Sequence, residues 1–134
     1  MRILVTGSRD WDEEVPVRAA LTELTAGRPG PHTVVHGACP TGGDALADRI
    51  AADLGFTIER HPAQWHRYGR SAGYRRNAAM VALGADVCLA FIRDSSPGAC
   101  MTARLAAEAR IPVRRVLSTS TPADPDGANT GSGS

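Results

Sequence analysis

Short apolar runs alternate with helical repeats along the first 117 residues of the chain. Continuous β-rich runs predict five strands, at 2–6, 33–37, 56–61, 87–91 and 112–116. Apolar residues between these runs recur at helical spacing and predict four helices, carried by Val17, Leu21 and Leu24; by Ala47, Ile50, Ala51 and Leu54; by residues 75–83; and by Thr102, Leu105, Ala106 and Ala109. Strands that are apolar throughout are typical of a sheet buried on both faces. The order βαβαβαβαβ therefore predicts an α/β, Rossmann-like three-layer αβα domain with a mainly parallel sheet of about five strands.

Local signals place the ends of these elements. Asp10 followed by Glu13 has the spacing of a capping box before the first helix. Gly55 is placed to end the second helix, and Gly84 the third. The polar stretch 63–73 predicts neither a strand nor a helix.

One domain accounts for the apolar pattern. It covers residues 1–117, with no internal repeat and no second domain. Residues 118–134 contain no Leu, Ile, Val or aromatic residue, so we expect a disordered C-terminal tail, whose GSGS end resembles a linker.

Composition removes several classes of protein. All 15 basic residues are Arg, and 14 acidic residues leave a net charge of +1, which argues against a general nucleic-acid binder held by a basic surface. No apolar run is long enough to span a membrane, and no signal-peptide pattern opens the chain. The three Cys are widely spaced, which favours neither a disulfide framework nor a zinc site. We therefore expect a cytoplasmic protein with a small-molecule partner, no cofactor and no metal.

Candidate chemistry follows the predicted strands, whose carboxyl ends share one edge of the sheet, where ligands bind in this fold. Glycines there let backbone N–H groups approach an anion, hydroxyls donate hydrogen bonds, and guanidinium groups pair with phosphate. The predicted ligand-binding residues are Gly7, Ser8, Arg9, Gly37, Thr41, Gly42, Gly43, Asp44, Arg75, Arg76, Asn77, Ser96, Gly98 and Thr102. Asp44 is predicted to accept hydrogen bonds from ribose hydroxyls, and Asp44, Arg75 and Arg76 are the candidates for any catalytic role.

Several of these residues have a structural alternative. Asp44 could instead be a helix N-cap, and Asp48, four residues on, is expected to be a solvated helix residue rather than a metal ligand. His36 ends a buried strand and is expected to be a buried structural histidine. Trp11 and Trp65 either stack on a base or cover the end of the sheet.

The ordered set of segments resembles the YspA-like branch of the SLOG superfamily. The segments that carry the resemblance are Met1–Trp11, His36–Asp48, His61–Trp65, Arg75–Met80, Asp86–Phe91 and Ser96–Leu105. The resemblance implies a Rossmann-like domain that binds a nucleotide or a nucleotide-derived ligand such as AMP or ADP-ribose, as a sensor or accessory protein. Because relatives commonly pair through helices, it also implies a homodimer. Other members of the superfamily are phosphoribohydrolases of the Lonely guy type and proteins that load recombinases on single-stranded DNA.

The enzyme branch of that superfamily has a signature, PGGxGTxxE, whose Glu takes part in cleaving the N-glycosidic bond. Here Pro97 and Gly98 are kept, and Thr102 stands at the Glu position. A threonine cannot act as a carboxylate acid or base. Arg75 or Arg76 followed by Met80 resembles the second element of the enzymes. The resemblance therefore favours binding over hydrolysis of nucleoside monophosphates, and leaves a single-stranded DNA or protein adaptor as a third alternative.

Overall fold

The computed structural model describes residues 1–94 and 97–118. Five strands form one parallel sheet, β1 (Arg2–Gly7), β2 (Thr33–His36), β3 (Thr57–Arg60), β4 (Val87–Ile92) and β5 (Val113–Leu117). Their order across the sheet is β3-β2-β1-β4-β5, and each pairing between neighbours is parallel. The predicted α/β, Rossmann-like architecture is confirmed. Of the predicted tail at 118–134, only Ser118 is described; the rest of it and the candidate Ser96 lie outside the described residues.

Helices cover both faces of the sheet. One face carries α1 (Glu14–Thr25) and α2 (Gly42–Asp53), which pack on an apolar cluster built around Ile3, Val34 and Leu89. The other carries α4 (Ala72–Leu83) and α5 (Pro97–Glu108), packed around Leu4, Val35 and Cys88. Strand order reverses direction between β1 and β4, and in open α/β sheets a ligand crevice opens at such a point.

The polar stretch between β3 and α4 contains structure that the apolar pattern did not predict. A short helix, α3 (Trp65–Tyr68), is followed by a turn of 3₁₀ helix over Gly69–Ser71. Four residues are too few to show a helical period, so no repeat marked this element. The helix predicted to begin at Arg75 is α4, and it begins three residues earlier, at Ala72.

The predicted capping box before α1 is wrong. Glu13 is the N-cap residue, but it makes no side-chain capping hydrogen bond. Its carboxylate instead accepts hydrogen bonds from Arg93, at 2.9 Å, and from the Ser118 hydroxyl. Arg93 also donates to Asp12 and to the backbone carbonyl of Asp10, each at 2.8 Å. These bonds tie the loop after β1 to the ends of β4 and β5.

Two glycines bring α2 onto the end of β1. A Cβ on Gly7 would lie 2.7 Å from Cα of Gly43, and a Cβ on Gly43 would lie 2.8 Å from Cα of Gly7. Real Cβ atoms do not approach backbone atoms so closely, so only glycine fits at either position. The first turn of α2, which carries Asp44, is therefore held against the edge where the strands end.

Candidate functional site

A cavity of about 990 Å³ opens at the carboxyl edge of the sheet. It lies over the ends of β1, β2 and β4, and α4 closes one side. Its size matches the 300–1,000 Å³ range typical of small-molecule pockets. The predicted residues that line it are Gly7, Arg9, Gly37, Thr41, Asp44, Arg76, Asn77 and Gly98. The structure thus brings together residues from the end of β1, the loops after β1 and β2, and three helices that are far apart in the sequence.

Five predicted ligand residues do not line this cavity. Ser8 is fully buried, where its hydroxyl accepts a hydrogen bond from the Arg93 amide at 2.8 Å. Thr102 is also fully buried and donates to the Gly98 carbonyl at 3.2 Å. Gly42 and Gly43 pack against the loop after β1, and the Gly43 amide donates to the Ser8 carbonyl. Arg75 lines a separate, smaller pocket.

Asp44 is the most buried acidic side chain of the cavity, with only 7% of its surface exposed. Its Oδ2 accepts hydrogen bonds from the backbone amides of Gly37, at 3.1 Å, and Cys39, at 3.4 Å. Thr41, not Asp44, is the N-cap residue of α2. Within the described residues no donor reaches Oδ1. A buried carboxylate oxygen without a donor is costly, so Oδ1 is an acceptor for water or for another donor in the cavity.

The environment of Asp44 has a consequence for the pH dependence of stability. Burial raises the pKa of Asp44 above its ordinary value of 3.8, although two backbone amides and the Arg76 guanidinium act in the opposite direction. The folded protein therefore binds this proton more tightly than the unfolded chain does. Asp44 thus lowers the free energy of unfolding progressively as the pH rises from the ordinary carboxyl pKa through the higher folded-state pKa.

Comparison with an uncharged variant isolates that effect. Asp44→Asn has no proton to lose, so we expect the difference in unfolding free energy, wild type minus variant, to fall as the pH rises through that window. Urea unfolding of both proteins at a series of pH values measures it. Parallel curves would contradict the burial argument.

Arg76 reaches into the cavity from α4. Its Nη1 donates to the Gly37 carbonyl and, at 3.4 Å, to the His61 carbonyl, while Nε donates to Asn77 at 2.6 Å. A Cβ at residue 37 would lie 2.6 Å from Arg76 Nη1, so Gly37 is what lets the guanidinium approach the end of β2. Burial lowers the pKa of Arg76, and the nearby Asp44 carboxylate partly offsets this.

Arg9 supplies a second cation at the cavity. It is exposed, and within the described residues its side chain has no hydrogen bond and no ion pair. Its charge acts unfavourably on Arg76. Both guanidinium groups line the cavity, and a guanidinium group can donate charge-assisted hydrogen bonds to an anion.

Asp48 and His36 lie outside the cavity and are hydrogen-bonded to each other. The expectation that Asp48 is a solvated helix residue is wrong. His36 is buried, and its Nδ1 accepts a hydrogen bond from the Ala38 amide at 2.9 Å. An accepting Nδ1 places the ring proton on Nε2, which donates to Asp48 at 2.7 Å. Arg60 completes the cluster with two hydrogen bonds to Asp48, at 2.7 and 3.1 Å. His36 is therefore structural, as predicted, and it fixes the turn that donates to Asp44.

The two tryptophans differ in their burial. Trp11 is 2% exposed and packs in the core with ring centroids 5.6 Å from Phe91. Trp65 is 51% exposed and lines the cavity, where an aromatic face is available to a planar ligand group. Met80, which the resemblance singled out, also lines the cavity, and so does Cys39, which sequence reasoning did not single out. Cys39 follows the second strand, which was the only signal that could have indicated it.

The fold and the cavity together define the class. A parallel sheet with a cavity at its switch point, bordered by glycine-rich turns and lined by arginines, is a Rossmann-like domain. Residues 1–68 match the YspA, cpYpsA-related SLOG family. The Gene 61 protein of Mycobacterium phage D29 is 43% identical over 117 residues, which cover 84% of this chain and 93% of the phage protein. The chain belongs to the YspA, cpYpsA-related SLOG family, and no solved structure matches it significantly.

None of the helices in the described part of the chain is long and apolar enough to cross a membrane.

Proposed function

We propose that the cavity binds a nucleotide or nucleotide-derived ligand of the AMP or ADP-ribose kind, and that the protein is a sensor or accessory protein. The observation that carries this proposal is the pairing of opposite charges in one cavity. Asp44 offers a buried acceptor oxygen, suited to hydroxyl donors such as those of ribose, while Arg9 and Arg76 offer donors to phosphate. Trp65 offers a surface for a base. Family membership supports nucleotide-derivative binding in general terms.

Isothermal titration with AMP, ADP-ribose and adenosine tests the proposal. We expect AMP and ADP-ribose to bind with one-to-one stoichiometry and adenosine to bind more weakly, because adenosine lacks the phosphate that pairs with the arginines. No heat with any of the three, together with no thermal stabilisation, would exclude this function.

The role of Arg9 can be tested separately. A hydrogen bond to a charged group contributes about 1.5–3 kcal/mol, so we expect Arg9→Ala to weaken AMP binding about 10- to 100-fold. Adenosine binding is expected to stay unchanged. Arg28→Ala removes the same charge from an exposed side chain outside the cavity and is the matched control. Equal losses for AMP and adenosine would contradict a phosphate-binding role for Arg9.

One observation favours a second candidate, hydrolysis of a nucleoside 5′-monophosphate. Asp44 is a buried carboxyl that lines the cavity and has a raised pKa, which is what a general acid needs. In this reaction the N-glycosidic bond breaks, the base takes its electron pair and a proton from Asp44, and water bonds to the ribosyl carbon and returns a proton to the Asp44 carboxylate. Thr102 takes no part, because its hydroxyl is buried against Gly98. Release of free adenine from AMP, lost in Asp44→Asn, would establish hydrolysis; binding without release favours the sensor.

A further inference from the structure

A second pocket, of about 340 Å³, adjoins the main cavity, and we call it the Arg75 pocket. It lies between the end of β3 and the helices α3 and α4. Its polar lining consists of Arg60, His61, Gln64, Tyr68, Arg75 and Arg76. Arg76 and Pro62 line both spaces, so the two pockets share a wall.

The charges of the two pockets differ in kind. The main cavity mixes arginines with the carboxylates of Asp10, Asp44 and Asp94. In residues 1–94 and 97–118, no carboxylate lines the Arg75 pocket. The two nitrogen-bearing side chains at the β3 end have carboxylate partners outside the pocket, since Arg60 pairs with Asp48, and the His61 ring is hydrogen-bonded to Glu59 at 2.6 Å. The positive charges of Arg75 and Arg76 remain.

Arg75 is oriented before any ligand arrives. Its Nε donates to the Ser71 hydroxyl at 3.0 Å, and its guanidinium carbon lies 4.5 Å from the centre of the Tyr68 ring. Among the described residues neither of its terminal nitrogens has a partner. A guanidinium fixed at Nε and stacked on a ring presents its remaining N–H groups in a rigid fork, which matches the oxygens of a phosphoryl group.

We propose that the Arg75 pocket is a second anion-binding site, which takes a phosphoryl group between Arg75 and the Nη2 of Arg76. The phosphoryl group belongs either to a free phosphate ion or to the far end of a ligand whose remainder occupies the main cavity. Because the two pockets adjoin at Arg76, one ligand can occupy the main cavity and place its far end in the Arg75 pocket. The proposal concerns a site distinct from the nucleotide cavity and does not require that cavity to bind a nucleotide.

Titration with inorganic phosphate, followed by ¹H–¹⁵N NMR at constant ionic strength, tests the proposal. We expect the amides of Gln64, Ala72 and Ala79 to shift in a saturable way, and Arg75→Ala to weaken that binding at least about tenfold. Arg67→Ala is the matched control, because Arg67 also stacks on Tyr68, at 5.1 Å, but does not line the pocket. It should retain the wild-type affinity.

The outcomes separate the proposal from its competitors. Absence of saturable shifts, or equal affinity in wild type and Arg75→Ala, would overturn the second site. Equal weakening in Arg75→Ala and Arg67→Ala would also overturn it, because that result assigns Arg75 to packing on Tyr68. Once the site is established, adding ADP-ribose identifies the source: displacement of phosphate assigns the pocket to the larger ligand, and continued phosphate binding assigns it to a free anion. If no nucleotide binds at all, the proposed function fails while the phosphate titration still stands.

Discussion

Asp44→Asn is expected to weaken AMP binding about 30-fold, which corresponds to about 2 kcal/mol of charge-assisted hydrogen bonding. The two backbone amides that donate to Oδ2 come from Gly37 and Cys39 and cannot turn away. The single carbonyl oxygen of an asparagine would be held by them, leaving its NH₂ group facing the cavity. The substitution therefore replaces a charged acceptor with a neutral donor, without changing the shape of the side chain.

The same variant is expected to be at least as stable as the wild type. The amide removes a buried charge while keeping an acceptor for both backbone donors, so the free energy of unfolding should stay equal or rise. Asp53→Asn is the matched control for binding. It removes an exposed carboxylate of the same helix that pairs with Arg18 outside the cavity. It should keep the affinity for AMP; unchanged AMP affinity in Asp44→Asn would contradict the assigned role.

Gly42→Ala is expected to destabilise the fold by roughly 3 kcal/mol or more. Gly42 has φ +76°, a conformation that costs a residue with a side chain about 1–2 kcal/mol. A Cβ there would also overlap the Ser8 carbonyl oxygen and lie 2.7 Å from Cα of Arg9. Both neighbours are backbone, so relieving the overlap requires movement of the loop after β1, at a further cost of about 1–3 kcal/mol.

Gly55→Ala separates the two causes. Gly55 has nearly the same backbone conformation, φ +78°, but an added Cβ would meet nothing within 4 Å. We expect this control to lose only about 1 kcal/mol, the conformational part alone. Guanidinium unfolding followed by circular dichroism measures both variants. Equal losses would show that the contact between α2 and the loop after β1 is looser than the structure has it.

The apolar pattern predicted the five strands and their parallel arrangement because burial on both faces leaves a continuous signature in each run. The edge of the sheet that carries the candidate site could also be predicted, because the carboxyl ends of parallel strands lie at the same edge. Glycine-rich turns predicted the position of Asp44, which lies directly beside Gly43 at the start of α2.

The directions in which the polar side chains point could not be predicted from the sequence. Arg75 and Arg76 are neighbours in the chain, but successive helical residues point about 100° apart, so only one of them faces the main cavity. From the sequence alone the hydroxyl of Ser8 is suited to bind a ligand. In the structure it accepts a hydrogen bond from the backbone amide of Arg93, 85 residues later in the chain. The same arginine removes Glu13 from its predicted cap. For Ser8 and Glu13 the cause is the same: partners distant in sequence decide where a polar group points.

Native mass spectrometry of the wild-type protein, alone and with AMP or ADP-ribose, tests most directly whether the cavity binds a nucleotide. The proposed function predicts a complex with one nucleotide per chain, retained on purification or formed on addition, and greatly reduced in Asp44→Asn. Unliganded wild-type protein throughout, at ligand concentrations that saturate ordinary nucleotide-binding domains, would contradict the proposal. The glycine turns and paired arginines would then serve the fold alone.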